Sequence, residues 1–195
     1  MSATAVQLAA AREAGAGRAR QMWHVRELVM IGVFSAAAKV TTLAVALIGG
    51  GMNPVTLLAK NCVFTTLVLV LLFKVRKPGT LTLFMTINFL ITMLLLGGRV
   101  TLLVPLIAGA ALAEGAIWLS GGMQRPWGPF VGIAVYDLAQ KILSLCMTWL
   151  VSRENPALLY VVVPFVAIGY IGSVIGLFTG YKAVKELRRA GLAAY

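Results

Sequence analysis

The sequence has very few charged residues for its length. Of its 195 residues only 12% are charged and 60% are hydrophobic, and the mean hydropathy is +0.92. A soluble domain of this size carries about 25% charged residues, because its surface must be solvated. The shortage of charge excludes an ordinary soluble domain and indicates that lipid surrounds most of the chain.

Residues that carry metal or nucleophilic chemistry are also scarce. The one histidine, His24, precedes the first apolar run, and Cys62 and Cys146 each lie inside an apolar run. Both thiols are expected to be buried and unpaired, as small hydrophobic side chains. Ser144 has no histidine within the apolar runs to activate it, and no Gly-rich phosphate loop of the form G-x-x-x-x-G-K-[ST] occurs. We therefore expect no enzyme activity, no metal and no cofactor.

Six apolar runs are long enough to be membrane-crossing helices, which need about 20 residues each. Clusters of Gly or Pro, or short polar turns, separate these runs. They cover residues 28–47, 55–73, 80–96, 101–119, 130–151 and 158–181. The sequence predicts an all-α integral membrane protein with a single six-helix transmembrane domain over residues 26–190. Residues 1–25 are predicted to be a cytoplasmic tail or an interfacial helix, and residues 191–195 a C-terminal tail.

The positive charges predict the orientation in the membrane. Under the positive-inside rule, inner segments carry an excess of Lys and Arg. If the amino terminus is inside, the outer turns hold only Arg99 and Arg153. The inner segments then hold Arg12, Arg18, Arg20, Arg26, Lys74, Arg76, Lys77, Arg125, Lys182, Lys185, Arg188 and Arg189. Both termini are therefore expected in the cytoplasm of a bacterial-type cell, with the chain crossing the inner membrane several times.

The net charge of +11 also raises the question of nucleic acid as a partner. Binding to nucleic acid requires a basic surface that follows the phosphate backbone. Here the basic residues alternate with apolar runs and form no contiguous stripe. We expect the lipid bilayer, and not nucleic acid, as the partner of this charge.

Several ionisable or amide side chains lie within the apolar runs. Each charge costs about 2.5–3.5 kcal/mol at the bilayer centre on insertion scales, so these groups are expected to face the protein interior. Asp137 and Lys141 are four residues apart and share a helix face. The rise per residue places further polar residues at middle or outer depth. This set is Lys39, Lys60, Asn61, Asn88, Gln140 and Lys141, with Glu114 and Asp137 nearer the cytoplasm.

Two interpretations of these polar residues stay open. They form either a structural ion-pair network that holds helices together or the lining of a polar cavity open to the outside. Three lysines against two acids favour an anionic or carboxylate-bearing ligand in the second case. Trp149 and Tyr160 lie near the outer rim, either as aromatic-belt residues or as side chains that stack on a ligand ring.

Small residues repeat at helical spacing in three of the runs. Such stripes let helix backbones approach closely in lipid. Packing within the monomer is expected for the fourth and sixth runs, and a docking surface for another subunit for the first. The stripes are Gly172, Gly176 and Gly180 in the sixth run, Gly109 and Ala113 in the fourth, and Gly32, Ala36 and Ala37 in the first.

The pattern resembles the substrate-binding S components of energy-coupling factor (ECF) transporters. The resemblance covers about residues 26–190. It rests on six helices, the opening RELVMIGVFSAA at residues 26–37 and a last helix with a glycine stripe that is followed by basic residues. Within the S components the chain looks most like the Trep_Strep/MptD-like group.

The resemblance implies a membrane subunit that captures a vitamin-like micronutrient from outside and delivers it by toppling. Its expected partners are a transmembrane coupling subunit and two cytoplasmic ATPases. The resemblance places the coupling contact at Gly32, Ala36 and Ala37, and a lid over the ligand at Gly51, Met52 and Asn53. The alternatives are a membrane assembly or structural protein, and a stand-alone channel or carrier.

Overall fold

The structure is a computed structural model that describes residues 23–50, 53–97, 103–123, 125, 127–151 and 157–190. Residues up to Met30 and residues from Ile31 onward form two separate units. In the first unit, the Glu27 carboxylate accepts a hydrogen bond from the His24 amide at 3.0 Å. Of the predicted tails at residues 1–25 and 191–195, residues 1–22 and 191–195 lie outside the described residues, and a helix begins at Val25.

Six α-helices and no β-strand occur in the described part of the chain. They are α1 (Val25–Ile48), α2 (Pro54–Lys74), α3 (Thr80–Leu96), α4 (Leu103–Leu119), α5 (Trp127–Val151) and α6 (Ala157–Arg189). Four of them, α1, α2, α5 and α6, are long and apolar enough to cross a membrane, while α3 and α4 are apolar but shorter, with 17 residues each. The predicted all-α membrane class is confirmed, whereas six crossings stay a prediction.

Large apolar side chains lie exposed on the outer faces of the helices. Leu94 on α3 is 86% exposed and Leu119 on α4 is 81% exposed. The long helices have similar side chains, such as Phe178 on α6, which is 70% exposed. In water such surfaces would be unfavourable by roughly 25 cal/mol per Å² of apolar area. Their presence on the two short helices supports contact of α3 and α4 with lipid as well.

The most extensive helix contact is between α2 and α6, and glycine allows a close approach there. Gly172 and Gly176 on α6 face the backbone of α2, where an added Cβ would lie 2.5 Å from the Leu58 carbonyl oxygen and 2.6 Å from that of Cys62, respectively. Only residues without a side chain permit this approach. The predicted packing of this stripe within the monomer is confirmed.

A second close pair is formed by α4 and α5. Gly109 and Ala113 are buried on the α4 side, and a Cβ on Gly109 would be in contact with Gln140 of α5 at 3.4 Å. This stripe, too, packs within the monomer as predicted. Helix α3 lies against α4, and α5 also contacts α6 and α2.

Three helix boundaries differ from those expected by three residues or more, and the first is the start of α1, at Val25 and not at residue 28. Helix α5 begins at Trp127, before Pro129, because proline is tolerated in the first turn of a helix. The backbone N–H groups of that turn have no intrahelical acceptor, and proline has no N–H group. Helix α6 continues to Arg189 through the basic segment. Its 33 residues span about 50 Å at 1.5 Å per residue, which exceeds a hydrocarbon core of about 30 Å.

The cysteines are free, as predicted, but they are not buried. Cys62 is half-buried and lies 3.8 Å from the Thr179 hydroxyl, while Cys146 is exposed on α5. Exposure toward lipid costs a thiol little, because it behaves as a small apolar group.

The α2–α6 contact can be tested with one methyl group. Gly172→Ala should lower the free energy of unfolding by about 1–3 kcal/mol, because the methyl would overlap a backbone carbonyl that cannot rotate away. The measurement is the thermal midpoint of the detergent-purified protein. The control is Gly115→Ala on α4, where nothing lies within 4 Å and no loss is expected. Equal midpoints for the two variants would contradict the close packing.

Candidate functional site

A charged cluster lies where α5 meets α6. The Lys141 ammonium donates hydrogen bonds to the Asp137 carboxylate, one helical turn away, and to the Ser173 hydroxyl of α6 at 3.2 Å. The same ammonium lies 5.4 Å from the centre of the Tyr170 ring, within the range of a cation–π contact. The side chains of Lys141 and Asp137 are only 13% and 16% exposed, so the ion pair is shielded from the surroundings.

Gly169 of α6 is the point at which three helices converge. A Cβ at this position would lie 2.9 Å from the Asn61 amide nitrogen of α2 and 3.6 Å from the Lys141 side chain of α5. The missing side chain therefore leaves room for the Asn61 and Lys141 side chains to pack against the α6 backbone. The Gly169 carbonyl also accepts a hydrogen bond from Ser173 at 3.2 Å, which orients that hydroxyl beside Lys141.

A second polar group connects α1 with α3. The Lys39 ammonium donates to the Thr92 hydroxyl at 2.5 Å, and that hydroxyl donates to the Asn88 carbonyl at 2.6 Å. The Asn88 side chain is buried, and its amide nitrogen has no hydrogen-bond partner among the described residues. An unpaired buried donor is costly, so Asn88 offers a hydrogen bond that a ligand or water can accept.

Lys60 adds a further positive charge. It is exposed on α2 next to Asn61, and its charge repels that of Lys39. Lys60 has no ion-pair or hydrogen-bond partner in the part of the chain that the structure describes. Lys39 in turn donates to a neutral hydroxyl and not to a carboxylate. Neither Lys39 nor Lys60 is paired with a carboxylate of the described residues, so both can attract an anion.

The other predicted site residues lie apart from these clusters. Gln140 places its Cβ against Gly109 of α4, on a different side of α5 from the Lys141 contacts. Trp149 is 50% exposed near the end of α5, as an aromatic-belt residue would be. Helix α6 includes Tyr160, but its side chain lies outside the described ones.

Residues 51–52 of the predicted lid lie outside the described residues, but its two edges are visible. The Gly49 carbonyl accepts hydrogen bonds from the Asn53 side-chain amide at 2.9 Å and from the Thr56 hydroxyl at 3.3 Å. A Cβ at Gly49 would overlap the Thr56 side chain, and Gly50 has a φ of +66°, in the left-handed region that glycine adopts readily. The start of the connection is thus tied to the first turn of α2.

The small residues of α1 face open space. Ala36 and Ala37 are exposed, and no atom lies within 4 Å of where a Gly32 side chain would begin. In contrast to the stripes of α4 and α6, this one does not pack against another of the described helices. The neighbouring Val33 and Val40 are 60% and 67% exposed.

Sequence reasoning missed the neutral partners of the charges. Ser173, Thr92 and Tyr170 complete the two clusters, yet none of them differs in the sequence from other hydroxyl or aromatic residues in apolar helices. Only Ser173 had a local signal, because it lies one residue after Gly172 in the glycine stripe. Its alignment with Lys141 depends on which helices are neighbours, and the sequence alone does not contain that information.

Glu114 has a structural role at the start of α3. Its carboxylate accepts hydrogen bonds from the Thr82 amide at 3.1 Å and from the Thr82 hydroxyl at 2.7 Å. Thr82 is in the first turn of α3, where backbone amides lack intrahelical acceptors and a negative charge is favoured by the helix dipole. The Glu114 carboxylate therefore joins α4 to the first turn of α3.

Removal of this carboxylate should destabilise the protein. Glu114→Ala leaves the Thr82 amide and hydroxyl without their acceptor, and we expect a loss of about 1–3 kcal/mol in the free energy of unfolding. Glu114→Gln retains an oxygen acceptor and should lose less. The measurement is thermal unfolding in detergent. The control is Glu186→Ala, which removes a pair that is 66% exposed and should have almost no effect. An equal effect of the two alanine variants would contradict the assignment.

Comparison with known proteins identifies the family. A family model described as a hypothetical bacterial integral membrane protein (Trep_Strep) matches residues 25–160, which is more than two thirds of the chain. No curated protein and no solved structure matches the chain. The matched segment runs from the start of α1 into α6 and contains the Lys39 cluster together with Asp137 and Lys141. The chain belongs to the Trep_Strep family of bacterial integral membrane proteins.

Proposed function

We propose that the protein is the substrate-binding S component of an ECF-type importer. In this role it captures a small, vitamin-like solute from the outer side of the bacterial inner membrane. A coupling subunit and two cytoplasmic ATPases then drive its import. Both termini of the subunit lie in the cytoplasm. The sequence contains no phosphate loop of its own, so the energy comes from the partners.

One observation carries the proposal: polar side chains from two apolar helices converge at a glycine of a third. Asn61 of α2 and Lys141 of α5 both approach Gly169 of α6. Solute sites within membrane helices use a few convergent polar groups in apolar surroundings. A purely apolar contact would pack helices as well in lipid, so the cost of placing an ammonium here favours a function beyond packing.

The charge balance favours an anionic or carboxylate-bearing solute. Lys60 lacks a partner within the described residues, and Lys39 is bound to a neutral threonine. Asp137 neutralises Lys141 alone. A carboxylate placed near Lys60 and Lys39 would relieve the repulsion between the two ammonium groups, which lowers the free energy of the bound state.

The open small-residue face of α1 suits the coupling subunit. A helix of the partner that packs on Gly32, Ala36 and Ala37 would approach closely, because no atom of the described residues lies within 4 Å of where a Cβ on Gly32 would be. Movement of the whole subunit against its partner would then deliver the solute by toppling. The connection held at Gly49 acts as the lid on the outer side.

A structural role of the buried charges is the second candidate. Lys141 already contacts Asp137, Ser173 and Tyr170, so its ammonium is satisfied without a ligand. On this view the protein is an assembly or structural factor of the membrane, and the ion pair holds α5 and α6 together. The two candidate functions predict different effects of neutral substitutions at these charged residues on ligand binding and stability.

Ligand binding decides between the candidates. We expect mass spectrometry of the detergent-purified protein, or thermal stabilisation by a panel of vitamins and nucleobases, to reveal a bound compound, because a ligand of the native state raises its stability. Lys60→Gln should weaken that binding about tenfold, since a charge-assisted hydrogen bond contributes about 1.5–3 kcal/mol. The control is Lys182→Gln, an exposed lysine on the basic end of α6, which should leave binding unchanged.

A purely structural role of the ion pair predicts a different set of results. If no compound binds and the double variant Asp137→Asn/Lys141→Gln is as stable as the original, while Lys141→Gln alone is destabilised, the ion pair is structural. A lone buried acid is costly, whereas a neutral pair is not. That combination would overturn the S-component proposal in favour of the structural one.

Partner binding provides a separate test. Gly32→Leu fills the open face of α1 and should prevent co-purification of a coupling subunit and ATPases from the native membrane, without a change in thermal midpoint. Gly115→Leu, at the equally open position on α4, is the matched control and should retain the partners. Equal recovery of partners with both variants would exclude the α1 face as the docking site.

A further inference from the structure

A groove of about 380 Å³ lies at the basic end of α6, apart from the polar clusters described above. It is formed by the last turn of α2 and the last three turns of α6. Half of the lining residues are cationic and half are apolar or aromatic. They are Phe73, Tyr181, Val184, Lys185, Arg188 and Arg189.

Two arginines converge on one aromatic ring in this groove. The guanidinium carbons of Arg188 and Arg76 lie 5.3 Å and 5.8 Å from the centre of the Phe73 ring. The ring attracts each cation, but the two positive charges repel one another. Of the two, Arg188 lines the groove, and guanidinium groups bind phosphate in a planar, bidentate geometry.

The remaining charge of the groove is only partly compensated. Arg189 pairs with Glu186 at 3.1 Å, on the solvent side where both are 66% exposed. Lys185 has no ion pair or hydrogen bond with the rest of the described chain. Lys185 and Arg188 therefore have no acid of their own and face the groove with net positive charge.

The floor of the groove is aromatic and continues toward the lipid. Phe130 of α5 meets the Phe73 and Tyr181 rings edge to face, with centroid distances of 5.8 Å and 5.5 Å. Phe73 and Val184 are buried, whereas Tyr181 and Phe178, one turn earlier on α6, are 52% and 70% exposed. A molecule in the groove thus meets cations at one end and an apolar helix surface at the other.

We propose that this groove binds the phosphate headgroup of an anionic phospholipid of the surrounding bilayer. The phosphate lies between Arg188 and Lys185, and an acyl chain runs along Tyr181 and Phe178 toward the membrane interior. The location supports a lipid over a free anion, because α6 passes here from its apolar segment to its basic end. Basic pockets between helices at the membrane surface are suited to anionic lipid headgroups. The proposal is independent of any solute that the protein carries.

Native mass spectrometry of the detergent-purified full chain tests this proposal. We expect retention of dioleoyl-phosphatidylglycerol over dioleoyl-phosphatidylcholine, which has the same acyl chains but no net charge. Lys185→Gln and Arg188→Gln should each weaken the binding of phosphatidylglycerol about fivefold, the equivalent of about 1 kcal/mol for each cation near an anionic surface. Lys182→Gln, with the same loss of charge outside the groove, should change it less than twofold.

Three outcomes would overturn the proposal. Equal binding of the two lipids would show that charge is not recognised, and unchanged selectivity in the Lys185→Gln/Arg188→Gln double variant would place the lipid elsewhere. Displacement of phosphatidylglycerol by equimolar inorganic phosphate would identify a simple anion site. Circular dichroism shows whether each variant folds. If Arg188→Gln does not fold, Lys185→Gln alone tests the proposal, because Lys185 is exposed.

Discussion

The absence of water within the hydrocarbon core is the constraint on which the structure depends. A polar group there must find its partner inside the protein. Glu114 meets this requirement at the Thr82 amide, Lys141 at Asp137 and Ser173, and Lys39 at Thr92. All of these contacts except the Lys141–Asp137 pair, which lies within α5, join two different helices, so the polar groups add to the glycine contacts in specifying which helices are neighbours.

The same constraint explains why the two candidate functions share one set of residues. An ammonium that is neutralised by Asp137 is stable without a ligand, and that favours a structural role. The Asn88 amide and the Lys60 ammonium are different, because the described residues supply neither with a hydrogen-bond acceptor. The affinity of the proposed solute site comes from these two incomplete groups more than from the satisfied pair, which instead positions the helices around them.

The sequence predicted the helices well because run length and Gly or Pro breakers are local properties. It placed the start of α5 too late, since Pro129 is a breaker only in the interior of a helix, and it ended the sixth apolar run at residue 181 although the Lys and Arg residues that follow are good helix formers. It identified Asp137 and Lys141 because i,i+4 spacing is also local. It could not assign Gln140 to the α4 side or find Ser173 and Thr92, because those contacts depend on helix neighbours and rotation.

The glycine contacts of α6 have a mechanical consequence. Gly172 and Gly176 bring α6 against the α2 backbone, which hinders sliding between these two helices, and Gly109 brings α4 into ordinary van der Waals contact with α5. Two stiff helix pairs therefore meet along the boundary between α5 and α6, where Lys141 reaches Ser173. Any internal rearrangement is confined to that boundary as a shear between rigid bodies, and the Lys141–Ser173 hydrogen bond is the contact that such a shear would break first.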